Sequence, residues 1–336
     1  MNDLHLQPAT FTWRKEMPLA DHPAKVHQWI RTINELKSVE EREKPDCVFF
    51  GAPLSRSSIS PSGASEFPEY FRRSWKGFST YNMDYDLDFS GMQVWDIGDI
   101  AMHGTDINLC HRFIRETSNA VHNHFRDSLI GGIGGDHSTT AMLVKGMKEI
   151  YPDKKIGILQ FDTHFDLRDP SEQGPSNGTP MRQLIEAGTV EGKHIHNIGL
   201  HGFYNTKELC DYAKKKGVRY VPLRLARKYG LEQVVSEILN TLENEVDMIY
   251  VTIDMDVLDM TYAPGVPAAT SGGMRPEELL EAVFLAGSHK KVKAFDIVCL
   301  DPLRDTIRQT TVQIGTSVFL TMICGLLSRG NNNDSG

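Results

Sequence analysis

The feature that most constrains the fold is the alternation of short apolar segments with segments of helical pattern along most of the chain. Apolar runs such as Lys154–Asp162 and Met248–Asp254 have the length and the β-branched content of buried strands. Stretches such as Asn108–Arg126 and Thr139–Ile150 carry apolar residues at helical spacing. Buried strands separated by helices indicate a parallel sheet that is covered on both faces. The sequence therefore predicts an α/β protein, a three-layer α/β/α sandwich.

The chain is long enough for one large α/β domain, and it shows no internal repeat and no linker that would divide it. We predict an N-terminal extension over residues 1–44 that packs on the domain, a single domain over 45–328 and a disordered tail over 329–336. The extension is polar, with a weak helical pattern over Ala24–Glu43. The tail consists mainly of polar residues and glycine, a composition typical of disorder.

Charge and cysteine content argue against several classes of protein. The formal net charge of −8 disfavours general binding to nucleic acid or to anionic membranes, because such binding needs basic surface. No apolar run is expected to approach the ~20 residues of a membrane span, and the N-terminus lacks the apolar centre of a secretion signal. The five cysteines are scattered without a CxxC pair, which argues against disulfides and a structural zinc site. We expect a cytoplasmic protein that has neither nucleic acid nor membrane as a partner.

Acidic residues and histidines follow three of the predicted strands, in the segments Gly134–Ser138, Asp162–Asp166 and Thr252–Asp256. Alternate residues of an extended chain point to one side, and ligands of such sheets bind beyond the carboxyl ends of the strands. These side chains are therefore expected to converge. So many carboxylates need counter-charge, which divalent cations would supply. We predict two metal ions, held by two histidines, His137 and His164, and by four or more aspartates of these segments.

Four segments in this order resemble the ureohydrolase family, which includes arginase, agmatinase and formimidoylglutamase: Gly134–Ser138, Asp162–Asp166, Asn177–Pro180 and Thr252–Gly265. The resemblance spans most of the chain. It implies an arginase-like fold, a site for two divalent ions, Mn²⁺ or Ni²⁺, and assembly of the chain into a trimer or hexamer.

The resemblance also implies a role for each predicted ligand. His137 matches a ligand of the first metal ion, whereas His164 and Asp256 match ligands of the second. Asp162 and Asp254 match carboxylates that bridge the two ions. The remaining ligand, Asp166, matches the residue that also holds the bridging water and takes its proton. The implied reaction is attack of the resulting hydroxide on a small guanidino or formimino compound, with cleavage of a C–N bond.

One departure from the family pattern concerns substrate. Arginase and agmatinase carry a histidine implicated in proton transfer at the position of Asn177, whereas formimidoylglutamase-like sequences carry a small polar residue there. We therefore predict roles for Asn177 in catalysis and substrate binding. Arg168 and Arg182 are predicted to hold a substrate carboxylate, because a guanidinium binds a carboxylate bidentately. A surface position or a structural salt bridge is the alternative for both arginines.

The second departure is Cys299, in the segment Phe295–Pro302, where the family usually has a glutamate that grips the guanidinium or amidinium. We predict that Cys299 belongs to the catalytic and substrate-binding residues and alters specificity, with Asp301 as a carboxylate that could replace the glutamate. A buried, space-filling cysteine is the alternative. The altered pocket makes a substituted guanidine, or a biguanide such as metformin, a candidate substrate beside formimidoylglutamate.

Other functions remain open at this point. An agmatinase- or guanidinobutyrase-type enzyme would use the same metal site. A single-metal, deacetylase-like amide hydrolase shares this fold at a distance, but it does not need the full ligand set. The missing glutamate also fits a helper subunit in a hetero-oligomer with a paralogue. The family resemblance implies that the Ser/Gly/Pro-rich loop Ser55–Pro68 lies over the mouth of the site, and a solvated loop is the alternative.

Overall fold

The computed structural model describes residues 5–13, 24–32 and 44–331. The strands are β1 (Leu6–Gln7), β2 (Arg31–Thr32), β3 (Cys47–Gly51), β4 (Tyr81–Asn82), β5 (Leu87–Asp88), β6 (Val94–Ile100), β7 (Leu129–Ile133), β8 (Ile156–Phe161), β9 (Ile195–Ile198), β10 (Arg219–Val221), β11 (Met248–Asp254) and β12 (Val292–Val298). The α-helices are α1 (Val26–Trp29), α2 (Phe67–Ser74), α3 (Ile107–His124), α4 (Ser138–Ile150), α5 (Pro170–Gln173), α6 (Pro180–Glu186), α7 (Lys207–Lys216), α8 (Leu223–Tyr229), α9 (Leu231–Glu245), α10 (Pro276–Ser288) and α11 (Thr310–Asn331).

A mostly parallel sheet forms the centre of the molecule. Its main strands lie side by side in the order β6-β3-β7-β12-β11-β8-β9-β10, and each neighbouring pair runs parallel. Beside β6, the N-terminal strand β1 pairs antiparallel and β2 pairs parallel. The remaining strands, β4 and β5, form a separate antiparallel hairpin. The predicted α/β class with a parallel sheet is confirmed, and among the described residues the antiparallel strand β1 lies at its edge.

Helices cover both faces of this sheet. The seven residues of β11 are all buried, and they alternate between two apolar layers. Ile249 and Val251 pack in the layer that contains α9, α10 and α11, whereas Tyr250 packs in the layer that contains α3 and α4. Because both sides are apolar, the strand is a continuous apolar run in the sequence, as expected for a sheet covered twice. This arrangement is the three-layer sandwich.

The C-terminal helix α11 differs from its prediction. Its segment Thr310–Arg329 is long and apolar enough to cross a membrane by length and composition, although no such run was expected. In the structure 67% of that window is buried inside the molecule, where Phe319 and Ile323 belong to the core. It is therefore a core helix. The helix also includes residues 329–331 of the predicted disordered tail, and residues 332–336 lie outside the described part.

The weak helical pattern over Ala24–Glu43 produces little helix among the residues that the structure describes. Only Val26–Trp29 is helical, and the next residues form strand β2. The indole Nε1 of Trp29 donates to the carbonyl oxygen of Met92 at 2.9 Å, and β2 pairs with β6. Tertiary contacts thus override a weak local preference here. Residues 33–43 lie outside the described residues.

Candidate metal centre and active-site cleft

The strand order explains why the three acidic segments meet. They follow β7, β8 and β11, which with β12 form the middle of the parallel sheet, so their carboxyl ends lie at one edge. After β7 the chain must turn sharply, and Gly134 and Gly135 adopt φ values of 65° and 103°. A Cβ on Gly135 would collide with the carbonyl oxygens of Ala52 and Leu54. Glycine at this turn therefore lets His137 lie over the strand ends.

The first cluster of possible metal ligands surrounds His137. Its Nδ1 lies 3.2 Å from Oδ2 of Asp162, 2.6 Å from Oδ2 of Asp166 and 3.2 Å from Oδ2 of Asp254. All four residues are buried. One imidazole with several carboxylates is a donor set that suits Mn²⁺, Ni²⁺ and related ions.

The second cluster shares Asp162 with the first. Nδ1 of His164 lies 3.5 Å from Oδ1 of Asp162 and 3.0 Å from Oδ2 of Asp256. The two oxygens of Asp162 thus face different clusters, as a bridging carboxylate would. The other predicted bridge, Asp254, has Oδ2 in the first cluster, while its Oδ1 accepts the backbone N–H of Asp256 at 2.9 Å.

The hydrogen bonds of His137 fit a metal ion at the first cluster. The side chain is fully buried, and Nδ1 has no hydrogen-bond partner of acceptable geometry despite its three carboxylate neighbours. The other nitrogen, Nε2, lies 2.9 Å from Oγ1 of Thr252. A buried nitrogen that lacks a hydrogen bond needs another partner, and a cation shared with the carboxylates would supply one.

The electrostatics of the site are those of crowded, buried carboxylates. Burial, followed by the charges of Asp256 and Asp162, raises the pKa of Asp254 to about 8. Burial and the charge of Asp162 likewise raise the pKa of Asp166 to about 6. Burial alone would lower the pKa of His137, but Asp166 and the neighbouring carboxylates raise it well above its usual value. Excess negative charge of this kind favours cation binding.

A cleft of about 180 Å³ opens onto the second cluster. The side chain of His164 is 27% exposed, whereas that of His137 is 0% exposed, so a small molecule reaches the centre from the His164 side. The cleft is lined by Ile59, Ser60, His164, Asp166, Arg168, Asn177, Gly178, Tyr204, Asn205, Leu209, Asp254, Asp256 and Ala268. A larger cavity of about 680 Å³ lies beside the β4–β5 hairpin and does not include these ligands.

The two predicted substrate-binding arginines have different surroundings. Arg168 lines the cleft and is exposed, and it forms no ion pair with a residue that the structure describes. Arg182 instead pairs with Asp169 and, at 2.7 Å, with Glu186. It also stacks on Tyr212, with its guanidinium 4.5 Å from the ring centroid. Arg182 is absent from the described lining of the cleft, which favours the structural salt bridge for this residue.

Asn177 lines the cleft and also fastens the loop Ser55–Pro68. Its side-chain Oδ1 accepts a hydrogen bond from the backbone N–H of Ile59 at 2.9 Å, and its backbone N–H donates to the carbonyl oxygen of Ser57 at 3.2 Å. Nearby, the N–H of Ser57 donates to the carboxylate of Asp136 at 3.1 Å. These bonds hold Ile59 and Ser60 at the mouth of the cleft.

Asp301 fastens the same loop from the other side. Its carboxylate is buried, accepts the backbone N–H of Gly63 at 2.7 Å and pairs with Arg304 at 3.2 Å. Arg304 in turn donates to the carbonyl oxygen of Pro61 at 2.9 Å. The carboxylate of Asp301 is thus engaged in holding the loop, and it is not part of the described lining of the cleft. This placement disfavours Asp301 as a substitute for the family glutamate.

Cys299 is buried beside Asp254, a predicted metal ligand, and it is not part of the described lining of the cleft. It is 3% exposed, and its φ of 59° is unusual for a residue other than glycine. Burial, together with the neighbouring carboxylate of Asp254, raises the pKa of the thiol well above its usual value. The thiol is therefore neutral and a weak nucleophile. These surroundings favour the space-filling alternative, in which Cys299 shapes the site without contacting the substrate.

Two polar residues of the cleft were missed in the sequence. Tyr204 and Asn205 follow β9, whose carboxyl end lies at the same edge as the metal-site segments. The side chain of Asn205 accepts the N–H of Phe165 at 2.9 Å and donates to the carbonyl oxygen of Thr163 at 2.8 Å, on either side of His164. The same rule of strand ends, applied to β9, would have indicated this loop.

Comparison with known proteins identifies the family. The sequence profile of the Arginase family matches residues 45–325. The formimidoylglutamase of Halalkalibacterium halodurans is 40% identical over 275 residues, which cover 82% of this chain and 85% of that protein. The formimidoylglutamase of Bacillus subtilis is 36% identical over 279 residues, which cover 83% of this chain and 86% of that protein.

Solved structures agree with the sequence comparison. The crystal structure of formimidoylglutamase from Bacillus subtilis superposes with a TM-score of 0.85 at 32% identity, covering 96% of each chain. Trypanosoma cruzi formiminoglutamase, solved with Mn²⁺, shares the fold with a TM-score of 0.80 at 23% identity, covering 92% of this chain and 100% of that one. The chain belongs to the Arginase family and is a metal-dependent hydrolase of C–N bonds in small amidino compounds.

Proposed function

We propose that this hydrolase converts N-formimidoyl-L-glutamate to glutamate and formamide, with Mn²⁺ or Ni²⁺ as its two metal ions. The observation that carries the proposal is Arg168, a guanidinium without an ion-pair partner among the described residues, in a cleft lined otherwise by acidic and neutral side chains and His164. An amidine with carboxylates at its far end matches this distribution of charge. Relatives named formimidoylglutamase, at 40% and 36% identity, support the same substrate.

The residues divide the work of the reaction. His137, Asp162, Asp166 and Asp254 would hold one ion, and Asp162, Asp254, His164 and Asp256 the other. When bound, the two cations supply hydroxide near neutral pH by lowering the pKa of water. Asp166 orients the attacking oxygen and accepts its proton. Arg168 holds a carboxylate of the substrate bidentately and so directs the amidine carbon toward the carboxylates. Cleavage of the C–N bond then releases glutamate.

A guanidino compound is the second candidate. Asp166, Asp254, Asp256 and His164 line the cleft, and three carboxylates attract a cationic guanidinium or biguanide. Against it stands Cys299, because the glutamate usual at this position would grip a guanidinium, and a neutral thiol cannot replace that charge.

A substrate panel tests the proposal. Protein loaded with Mn²⁺ or Ni²⁺ is incubated with formimidoylglutamate, agmatine, arginine, guanidinobutyrate, guanidine and metformin, and the release of formamide, urea and amine is measured. Formamide from formimidoylglutamate, at a kcat/KM above that of the other compounds, supports the proposal. Turnover of a guanidine or biguanide alone contradicts it and favours the second candidate.

Replacing Arg168 by glutamine is expected to raise KM for formimidoylglutamate roughly ten- to hundredfold, because a charge-assisted hydrogen bond contributes about 1.5–3 kcal/mol. Activity toward agmatine, which has no carboxylate, should change little. Arg182→Gln is the matched control, since Arg182 pairs with Asp169 and Glu186 away from the cleft and its loss should leave KM within about threefold. Equal effects of the two substitutions on KM would contradict a role for Arg168 in binding.

Replacing Cys299 by glutamate is expected to shift specificity toward guanidino compounds. Glutamate is longer than cysteine, so we expect its carboxylate to reach a bound guanidinium from a position at which the thiol does not contact the substrate. A charge-assisted hydrogen bond of about 1.5–3 kcal/mol corresponds to roughly ten- to hundredfold in the ratio of kcat/KM values. Cys299→Ser, which remains small and neutral, should leave that ratio unchanged. The comparison of formimidoylglutamate with agmatine measures the ratio, and an unchanged ratio in Cys299→Glu would mean that this position does not set specificity.

The assembly and location of the protein are also proposals. We infer a homo-oligomer, a trimer or hexamer, from the family resemblance, and a hetero-oligomer with a paralogue is the alternative. Light scattering on the purified chain distinguishes a monomer from either assembly, and full activity of the chain alone would exclude the need for a paralogue. The cysteines that the structure describes are all free thiols, in keeping with a cytoplasmic protein.

A further inference from the structure

Asp296 is a fully buried carboxylate on β12 that belongs to neither ligand cluster. Its Oδ2 accepts hydrogen bonds from the hydroxyls of Thr140 at 2.7 Å and Tyr250 at 2.8 Å. Its Oδ1 accepts from the hydroxyl of Thr252 at 2.6 Å. Burying a carboxylate against hydroxyl groups is costly, and an apolar residue would fill a core position at lower cost. The presence of this charge therefore calls for a role beyond packing.

The direction of the hydrogen bonds connects Asp296 to the metal centre. Thr252 has one hydroxyl proton, and the carboxylate of Asp296 can only accept it. The oxygen of Thr252 is then an acceptor toward Nε2 of His137, 2.9 Å away. Nε2 must carry a proton, so Nδ1 is the nitrogen that has a free lone pair in the neutral imidazole. Nδ1 is also the nitrogen that faces Asp162, Asp166 and Asp254.

We propose that Asp296 determines, through the hydroxyl of Thr252, which nitrogen of His137 is available to bind a metal ion. Asp296 is a positioning residue, since it is part of neither the described lining of the cleft nor the two ligand clusters. The proposal rests on the proposed function only in requiring that the site binds two divalent ions. It does not depend on which amidino compound is the substrate.

The isosteric substitution Asp296→Asn changes the direction of the hydrogen bond to Thr252 and leaves the packing of the side chain unchanged. An asparagine can accept the two hydroxyls of Thr140 and Tyr250 with Oδ1 only if its Nδ2, a donor, faces Thr252. Thr252 would then turn its own proton toward Nε2 of His137, and the imidazole proton would move to Nδ1. That tautomer has no lone pair for a metal ion at the first cluster.

Calorimetric titration of the metal-free protein with Mn²⁺ tests the proposal without substrate. In Asp296→Asn, one of the two Mn²⁺ ions is expected to bind about 10- to 100-fold more weakly. This is the usual effect of losing a hydrogen-bond partner that orients a metal-binding histidine. Electron paramagnetic resonance at one ion per chain should then show an isolated Mn²⁺, and coupled pairs should appear only at higher Mn²⁺. Circular dichroism and thermal unfolding of the metal-free variants verify the fold.

Substitutions of Thr252 test whether the effect passes through its hydroxyl. Thr252→Val should weaken binding of the same Mn²⁺ ion to a similar degree. Thr252→Ser keeps the hydroxyl and should bind that ion with an affinity within about threefold of the wild type. The double variant Asp296→Asn with Thr252→Val should bind Mn²⁺ no more weakly than Thr252→Val alone, because both changes break one relay. Additive losses, or unchanged affinity in a folded Asp296→Asn, would overturn the proposal. If the wild-type protein binds two ions but does not hydrolyse formimidoylglutamate, the result instead counts against the proposed substrate.

Discussion

Asp166→Asn is expected to lower kcat for the physiological substrate by about 10²- to 10⁴-fold, the usual contribution of a positioned general base. The change removes the group that takes a proton from the attacking water, and it also weakens one proposed metal ligand. Asn tolerates the left-handed backbone that Asp166 adopts at φ 54°, so the loop should keep its course. Steady-state rates at saturating metal, with metal content measured in parallel, separate loss of the base from loss of the ion.

A neighbouring residue provides the control for this prediction. Asp169 lies three positions along the chain and pairs with Arg182 outside the cleft. Asp169→Asn should therefore retain kcat within about threefold and bind the same amount of metal, because pairs near the surface contribute little. Retention of more than a tenth of the wild-type kcat by fully metal-loaded Asp166→Asn would show that another group serves as the base.

Removal of the metal ions is expected to abolish turnover and to change how the protein's stability depends on pH. Without metal, the pKa of Asp254 is raised from its usual value of 3.8 to about 8, mainly by burial. The folded state then binds more protons at this group than the unfolded state between these two values. The free energy of unfolding of the metal-free protein should therefore fall as pH rises through that window.

Bound metal should reverse this trend. A cation stabilises the ionised carboxylates, and protons must leave the ligands for it to bind, so affinity should increase with pH up to about 8. At a free metal concentration one hundred times Kd, binding should stabilise the fold by about 2.7 kcal/mol. Thermal unfolding of EDTA-treated and Mn²⁺-loaded protein at pH values from 5 to 9 would measure both effects. The same pH dependence in both forms would contradict the proposed ligands.

The sequence by itself determined the fold class and the residues of the candidate metal centre. Continuous apolar runs between helical segments are sufficient to predict a parallel sheet that is covered on both faces. A strand that is buried on both faces shows no alternation of apolar and polar residues. The spacing of Asp162, His164 and Asp166 then places donors on one side of the chain after a strand. Both inferences depend on short-range patterns, which a sequence displays directly.

Only the tertiary structure decided what surrounds these groups. Arg168 and Arg182 are equivalent as residues in the sequence, but the fold places Asp169 and Glu186 beside Arg182 and leaves Arg168 in the cleft. Cys299 follows a central strand, and the fold buries it beside Asp254, outside the described lining of the cleft. Whether a side chain is engaged by a neighbour depends on residues distant in the chain, which are brought together only when strands and helices pack.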